Sequence, residues 1–508
     1  MNPIKSTISN RLSKTEVFAS LPPPWPEDLR PQIRAAVAAS RRKLVVLDDD
    51  PTGTQTVYDV PVLTTWDVET LRREFASPSA CFFILTNSRS LTPKAARELN
   101  REIARNLRGA AASLPPRSSS SCIGGRDAVA PFTLVSRSDS TLRGHYPLET
   151  DVLAEELGPF DATILIPYFE AGGRYTMGDV HYVAEGDTLV PAAETPFARD
   201  AVFGYGQSNL RAWVEEKTAA RIKADQAASF SIAELRPPAE TREPRRRVCA
   251  KLLGLQHGAT AIVNACAPAD MDFFAAATIW AEQAGGRYLF RTAAQFVAAR
   301  LGLEPRPLWQ PSVGTAAFQA RKTGQRECCP ADRITGGLIV IGSYVPKTTE
   351  QLHQLLAAGA LEPIELSVRD LLDGLGAMLT EAIRRVNHHL ASGRNVVVFT
   401  SRELLAGPDA ASSLNIGAKV SAVLVQVVRG LKVRPRFLIA KGGITSSDLA
   451  TKGLGVKRAM VLGQILPGIP VWKLGAETKF PGLPYVVFPG NVGGPDALKE
   501  VVLKLKSA

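Results

Sequence analysis

Short apolar runs that stop abruptly in aspartate- or glycine-bearing loops recur along this chain, and no other feature constrains its fold as tightly. The first is Lys43-Leu44-Val45-Val46-Leu47, broken by Asp48-Asp49-Asp50-Pro51-Thr52-Gly53. Later runs are Phe132 to Val135, ahead of Ser136-Arg137-Ser138-Asp139-Ser140-Thr141-Leu142-Arg143-Gly144-His145, and Asp161 to Ile166, ahead of Gly172-Gly173-Arg174-Tyr175-Thr176. Gly337 to Ile341 precedes Gly342-Ser343, Arg436 to Ala440 precedes Lys441-Gly442-Gly443, and Tyr485 to Phe488 precedes Gly490-Asn491-Val492-Gly493. Strand-length runs that are apolar throughout mark strands buried on both faces, as in parallel sheets. Alternation of such strands with helical segments implies doubly wound α/β units, whose ligands sit beyond the carboxyl ends of the strands.

A chain of 508 residues exceeds what one hydrophobic core fills, so two domains are expected. The predicted division is an N-terminal arm over 1–40, a first domain over 41–301, a proline-rich linker over 302–335 and a second domain over 336–508. Each domain is expected to hold a mainly parallel sheet flanked by helices, with a ligand cleft between the two. Val60 to Thr64 reads as a further strand of the first domain, and Ala110 to Ala130, with its serine run, as a surface insertion. The apolar runs are too short to span a bilayer, the six cysteines contain no C-x-x-C pair, and the N-terminus lacks a secretory apolar region. A cytoplasmic protein with no membrane partner is therefore expected. The net charge of +11 invites a nucleic-acid reading, but the basic runs lack interleaved aromatics, so an anionic small molecule is the expected partner.

The chemistry concentrates in the loops. Asp48, Asp49 and Asp50 repel one another and call for a cation, a basic pocket or solvent. Asp139, Arg143 and Arg137 read either as a structural ion cluster or as a carboxylate-binding site, for which the planar guanidinium is suited. Gly342 to Thr348 fails the P-loop pattern because Pro346 has no backbone N–H to offer a phosphate. Lys441 to Asp448 is the stronger phosphate candidate: a glycine pair, then Thr445 and Asp448 at capping-box-like spacing, at a helix start whose N–H groups favour anions. Its plain alternative is a capped helix with glycines needed for packing. No H-e-x-x-H zinc motif, G-x-S-x-G elbow or dinucleotide fingerprint is present.

Taken together, Asp49-Asp50-Pro51-Thr52-Gly53, Ser138 to Gly144, Gly173-Arg174-Tyr175-Thr176, Gly342-Ser343 and Gly442-Gly443 make a set that resembles the four-carbon acid sugar kinase family, over roughly residues 43 to 505. The resemblance implies an acid-sugar-binding domain followed by a nucleotide-binding domain, and phosphorylation of a threonate-, erythronate- or 3-oxo-tetronate-type acid with ATP and Mg²⁺. It implies catalytic roles for Asp49, Asp50 and Arg143, and substrate contacts by Thr52, Gly53, Arg137, Asp139, Ser140, Arg143 and Arg174. On the nucleotide side it implies Ser343, Lys441, Gly442, Gly443, Thr445, Gly490, Asn491 and Gly493. Three positions depart from the family's usual residues: Arg137 for lysine, His145 for asparagine, and Lys441-Gly442-Gly443-Ile444-Thr445 for Thr-Gly-Gly-Glu-Thr. The alternative reading is a sensor that binds a sugar acid and a nucleotide without chemistry. A homodimer is the default expectation for a soluble oligomer.

Overall fold

The structure is a computed structural model that describes residues 11–112, 132–238, 244–311, 335–359, 361–373, 376–402 and 410–506. It separates into two units, Met1–Asp49 with Trp66–Glu304, and Asp50–Thr65 with Pro305–Ala508. Each is an α/β unit. The expected insertion beyond residue 112, and the expected linker from 312 to 334, lie outside the described residues.

The first unit is built on parallel strands in the order Ala228–Phe230, Ala259–Val263, Ala162–Ile166, Tyr288–Thr292, Phe132–Arg137, Lys43–Asp48, Cys81–Leu85. Their side chains are apolar on both faces because helices cover the sheet; Val45, Val46, Phe82, Phe83 and Ile84 are fully buried. From Lys43–Asp48 the chain goes to one neighbour, Cys81–Leu85, and then to the other, Phe132–Arg137. The order reverses there, and such a switch point opens a crevice at the carboxyl ends of the two diverging strands. Those ends carry Asp49 and the Ser138 to Gly144 loop. A small antiparallel sheet of Leu12–Ser13, Thr188–Pro191, Val180–Glu185 and Arg174–Met177 adjoins them in the same unit.

The second unit orders its strands Leu361–Leu366, Asn395–Thr400, Leu338–Ile341, Leu438–Lys441, Pro484–Phe488 in parallel. An antiparallel edge follows, Ile469–Leu474, Arg458–Leu466 and Pro61–Leu63. The switch point lies between Leu338–Ile341 and Leu438–Lys441, so Gly342 and Gly442 emerge side by side. A core including Ile339, Phe437, Val471, Val486 and Leu498 holds the sheet to its helices.

Two expectations about chain organisation are corrected. Residues 11–40 are no detached arm. Leu29 and Ile33 are 1% exposed, helix Arg30–Ser40 packs on helices Pro268–Gln283 and Ala294–Leu301, and the Trp25 ring meets that of Phe273 edge-on at 5.3 Å. The proline-rich composition disguised a segment anchored through Leu29, Ile33 and Trp25. The second correction concerns residues 50–65, which leave the first unit for the second. Val62 pairs with Ala459, and the buried Trp472 donates its Nε1 hydrogen to Thr54 Oγ1 at 3.0 Å. A strand reads the same in sequence whichever sheet edge accepts it, so local pattern could not assign it.

Candidate functional site

Strand Lys43–Asp48 delivers three consecutive carboxylates into three different settings. Asp48 is 1% exposed and accepts from Arg137 Nη1 at 3.1 Å. Asp49, 3% exposed, accepts from Ser138 Oγ at 2.6 Å on one oxygen and from Arg89 Nη2 at 2.9 Å on the other. Asp50 opens the segment that joins the second unit. Its carboxylate accepts from Thr52 N at 2.8 Å and caps the 3-10 turn Pro51–Thr56. Glycine is needed at 443 for that carboxylate, since a Cβ there would lie 2.6 Å from Asp50 Oδ2.

In the first unit, the loop after strand Phe132–Arg137 folds back over Asp49. Gly144, at φ +117°, permits the approach: a Cβ would stand 2.7 Å from Ser138 Oγ and 3.1 Å from Asp49 Oδ2. Asp139 accepts from Arg143 Nε at 2.8 Å and from the Thr141 hydroxyl, and lies 3.4 Å from Arg89 Nη1. Arg89 therefore bridges Asp49 and Asp139. Arg291 donates to Glu149 at 2.6 Å and to Ser136 Oγ at 3.0 Å. Ser138, Asp139, Arg143, Arg291 and Thr292 are the polar lining of a small pocket, and Leu142, Leu165, Leu210 and Trp213 are among its apolar lining.

Burial raises the carboxyl of Asp49 above its ordinary range, with Arg89 and Arg137 pulling against it. Burial also disfavours the charged form of Asp139, but Arg143, Arg89 and the Thr141 hydroxyl outweigh it and hold that carboxyl well below the usual range. The cluster thus contains one firmly ionised acid and one whose affinity for a proton is raised, the pairing from which acid–base chemistry is built.

His181 supports this loop from beneath. Its Nε2 lies 2.8 Å from the Ser140 carbonyl, which can only accept, so Nε2 carries the hydrogen and Nδ1 accepts from Thr176 Oγ1 at 2.9 Å. Burial pushes its pKa down to about 4. The folded state then binds fewer protons than the unfolded state between about pH 4 and the ordinary histidine value near 6.5. Stability from this neutral ring is complete above about pH 6.5 and falls as the pH drops toward 4. A loss of about 2–3 kcal/mol between pH 7 and 4.5 is expected from this group. Denaturant midpoints at the two pH values should show it, and His181→Gln should flatten the dependence; an equal slope in the variant would refute the assignment.

In the second unit three glycine loops meet at neighbouring strand ends. Gly442, at φ +116°, would bring a Cβ within 3.1 Å of Ser343 Cβ, and a Cβ on Gly342 would strike Thr445 Oγ1 at 2.2 Å. Thr348 Oγ1 donates to the Gly490 carbonyl at 3.1 Å and lies 3.2 Å from Ser343 Oγ. Arg402 Nη1 donates to the Ser343 carbonyl at 2.7 Å. Gln351 Nε2 donates to the carbonyls of Val492 and Gly494 at 3.0 and 2.8 Å, while Gly493 at φ +84° leaves room for Ala497. Ile444, Tyr344 and Asn491 are exposed on these loops. Lys441 is buried. Its Nζ donates to the Pro489 carbonyl at 2.7 Å and the Gly490 carbonyl at 3.3 Å, and burial, with Lys347 adding repulsion, lowers its pKa to about 6. Lys441 therefore ties two loops together from inside the sheet.

The candidates from the sequence fall into two groups. Asp49, Arg137, Asp139, Ser140, Arg143 and Arg174 gather in the first unit. Asp50, Thr52, Gly53, Ser343, Lys441, Gly442, Gly443, Thr445, Gly490, Asn491 and Gly493 belong to the second. Arg137 is 4% exposed and enclosed by Asp48 and Asp49. Arg89 and Arg291 escaped the sequence reading. A signal for each exists: Arg89 follows the apolar run Cys81–Leu85 in a polar loop, and Arg291 follows Tyr288-Leu289-Phe290 within the strand Tyr288–Thr292.

Residues 44–300 match the model of a sugar-binding N-terminal domain, and residues 338–498 match that of a nucleotide-binding C-terminal domain. No curated protein matches the sequence significantly. Among solved structures, the chain is similar to Haemophilus influenzae protein HI1011 of family DUF1537, at 18% identity and TM-score 0.56, covering 90% of this chain and 99% of that one. It is also similar to a Salmonella typhimurium LT2 protein described as a candidate tRNA synthase, at 15% identity and TM-score 0.60, covering 90% of this chain and 98% of that one. At these identities the likeness is one of fold. No helix among the described residues is long and apolar enough to cross a membrane.

Proposed function

This chain belongs to the four-carbon acid sugar kinase family, with its sugar-binding domain followed by its nucleotide-binding domain, and we propose that it transfers a phosphoryl group from ATP to a hydroxyl of a small sugar acid. The observation that carries the reading is the pairing of Asp49 with Asp139 through Arg89 in the sugar-binding unit. Of the two acids, Asp49 has the raised proton affinity and is the fit general base for the acceptor hydroxyl. The arginines around it, Arg89, Arg137 and Arg291, pair with Asp48, Asp49, Asp139 and Glu149 and fix the geometry of the cluster.

The glycine loops at 342–343, 442–443 and 490–493 leave backbone uncovered by side chains, as phosphate oxygens require. Asp50 is the carboxylate that adjoins Gly443. Among the described residues no group of three or more His, Cys, Asp or Glu side chains is arranged to hold a metal ion. Mg²⁺ characteristically uses one or two carboxylates, substrate phosphates and water, so Asp50 fits as its protein ligand. Bound with ATP, Mg²⁺ would supply charge neutralisation on the phosphates. The protein's share is positioning: Asp49 receives the proton, Ser138 and Arg89 orient Asp49, and Lys441 and Thr348 shape the loop at Gly490.

A coupled ADP-release assay across threonate, erythronate and 3-oxo-tetronate tests the reading. ADP release stimulated by at least one acid is expected; binding of an acid and ATP without ADP would favour a sensor. With an active acid in hand, Asp50→Asn is expected to raise the Mg²⁺ concentration for half-maximal rate by at least about tenfold, while unchanged Mg²⁺ dependence would remove Asp50 from that role.

A further inference from the structure

Two arginines lie over one aromatic ring in the sugar-binding unit, and their charges are handled differently. Arg143 Cζ stands 5.2 Å from the Phe197 centroid and Arg174 Cζ 5.4 Å. Arg143 is neutralised within the protein, by Asp139 at 2.8 Å and Asp200 at 3.6 Å. Arg174 is not. Among the described residues its guanidinium has neither an ion-pair nor a hydrogen-bond partner, and its Nε is buried with none. A half-buried guanidinium beside a second arginine bears a desolvation cost and a like-charge repulsion that an anion would relieve.

The local backbone is arranged around this side chain. Gly172 and Gly173 close the turn Glu170–Gly172, with Gly173 left-handed at φ 73°. A Cβ on Gly172 would meet the Phe169 ring at 2.5 Å and Arg174 Nη1 at 3.2 Å. The glycine therefore preserves the space in which the guanidinium lies. Arg143, its neighbour over Phe197, lines the pocket together with Ser138 and Asp139.

We propose that Arg174 is the residue that takes the carboxylate of the acid substrate, with Arg143 held back by Asp139 and Asp200 as a wall of the site. The inference rests on the sugar-acid reading above and makes it specific. A planar guanidinium without an internal partner is matched to a carboxylate by two parallel hydrogen bonds. It selects acids over neutral polyols because a polyol leaves the charge uncompensated. Phe197 stacks on the guanidinium and holds its plane.

The test measures binding by calorimetry, and turnover by ADP release, in the full chain with threonate and with threitol, which differ in the carboxylate. Wild-type protein is expected to bind threonate and to discriminate strongly against threitol. Arg174→Met should weaken threonate, in Kd or KM, by about 10- to 100-fold, leave threitol unchanged and keep the melting temperature; Arg174→Lys should recover part of the loss. Wild-type threonate affinity in a folded Arg174→Met variant would overturn the proposal while leaving the kinase reading standing. Threonate binding lost in Arg174→Met, with wild type releasing no ADP, would support the carboxylate site and overturn the kinase step. If wild type binds none of threonate, erythronate or 3-oxo-tetronate, both fall.

Discussion

Asp49→Asn is expected to lower turnover by about 10²- to 10⁴-fold, the range that a lost general base produces. The substitution is close to isosteric. Its remaining oxygen can still accept from Arg89, and the Ser138 hydroxyl, now 2.6 Å from Asp49 Oδ2, can rotate to accept from the new amide. What disappears is the ability to take a proton. Because the site's arginines lose one counter-charge, a thermal melt must accompany the kinetics, and KM for the acid should change less than turnover. An Asp49→Asn variant that is folded and turns over at the wild-type rate would remove Asp49 from the reaction. The raised proton affinity of Asp49 adds a pH signature: the acid limb of the rate profile should lie above the ordinary aspartate range, since the base works only when ionised.

The second large effect is on stability and is independent of any activity. Asp270 is fully buried, accepts from Arg236 Nε at 2.7 Å and Nη2 at 2.9 Å, and accepts from the backbone N–H of Cys266 at 2.8 Å and Ala267 at 2.9 Å. It thereby caps helix Pro268–Gln283 and neutralises an arginine that is 4% exposed at its side chain. Asp270→Ala is expected to cost about 3–5 kcal/mol, because it leaves a buried cation alone and two backbone donors without acceptor. The transition of the sugar-binding unit should fall by roughly 10 °C. Adding Arg236→Met should recover part of the loss, since removing both charges is cheaper than removing one. A single variant within about 0.5 kcal/mol of wild type by denaturant midpoint would show that the pair carries no such weight.

How much of this was legible before any coordinates depends on the range of the interaction. Strand Lys43–Asp48 and strand Leu438–Lys441 declared themselves because burial on both faces demands unbroken apolar runs. The loops after them did so because close backbone approach at a switch point demands glycine, as at Gly442 and Gly443, whose Cβ positions are occupied by Ser343 and Asp50. Six or seven residues carry each of these signals. The Arg30–Ser40 helix was legible from its alanine-rich run, but its docking was not, because the contacts that anchor it come from helices more than two hundred residues away.

By itself the sequence determined that this protein has two α/β units and where the chemistry-bearing loops begin, since both follow from local alternation and from residue types that tolerate few backbone conformations. Tertiary structure decided what each charge does. Asp49 and Asp50 are chemically identical and adjacent, yet one pairs with Arg89 and Ser138 and the other lies against Gly443. Arg143 and Arg174 look alike in sequence, yet Asp139 and Asp200 pair with the first, while the Nε of the second is buried without a hydrogen-bond partner. The reason is Coulombic: an interaction energy depends on the few ångströms between partners and on the water excluded around them. Those distances are set by the order in which strands join their sheets, which no local stretch of sequence records.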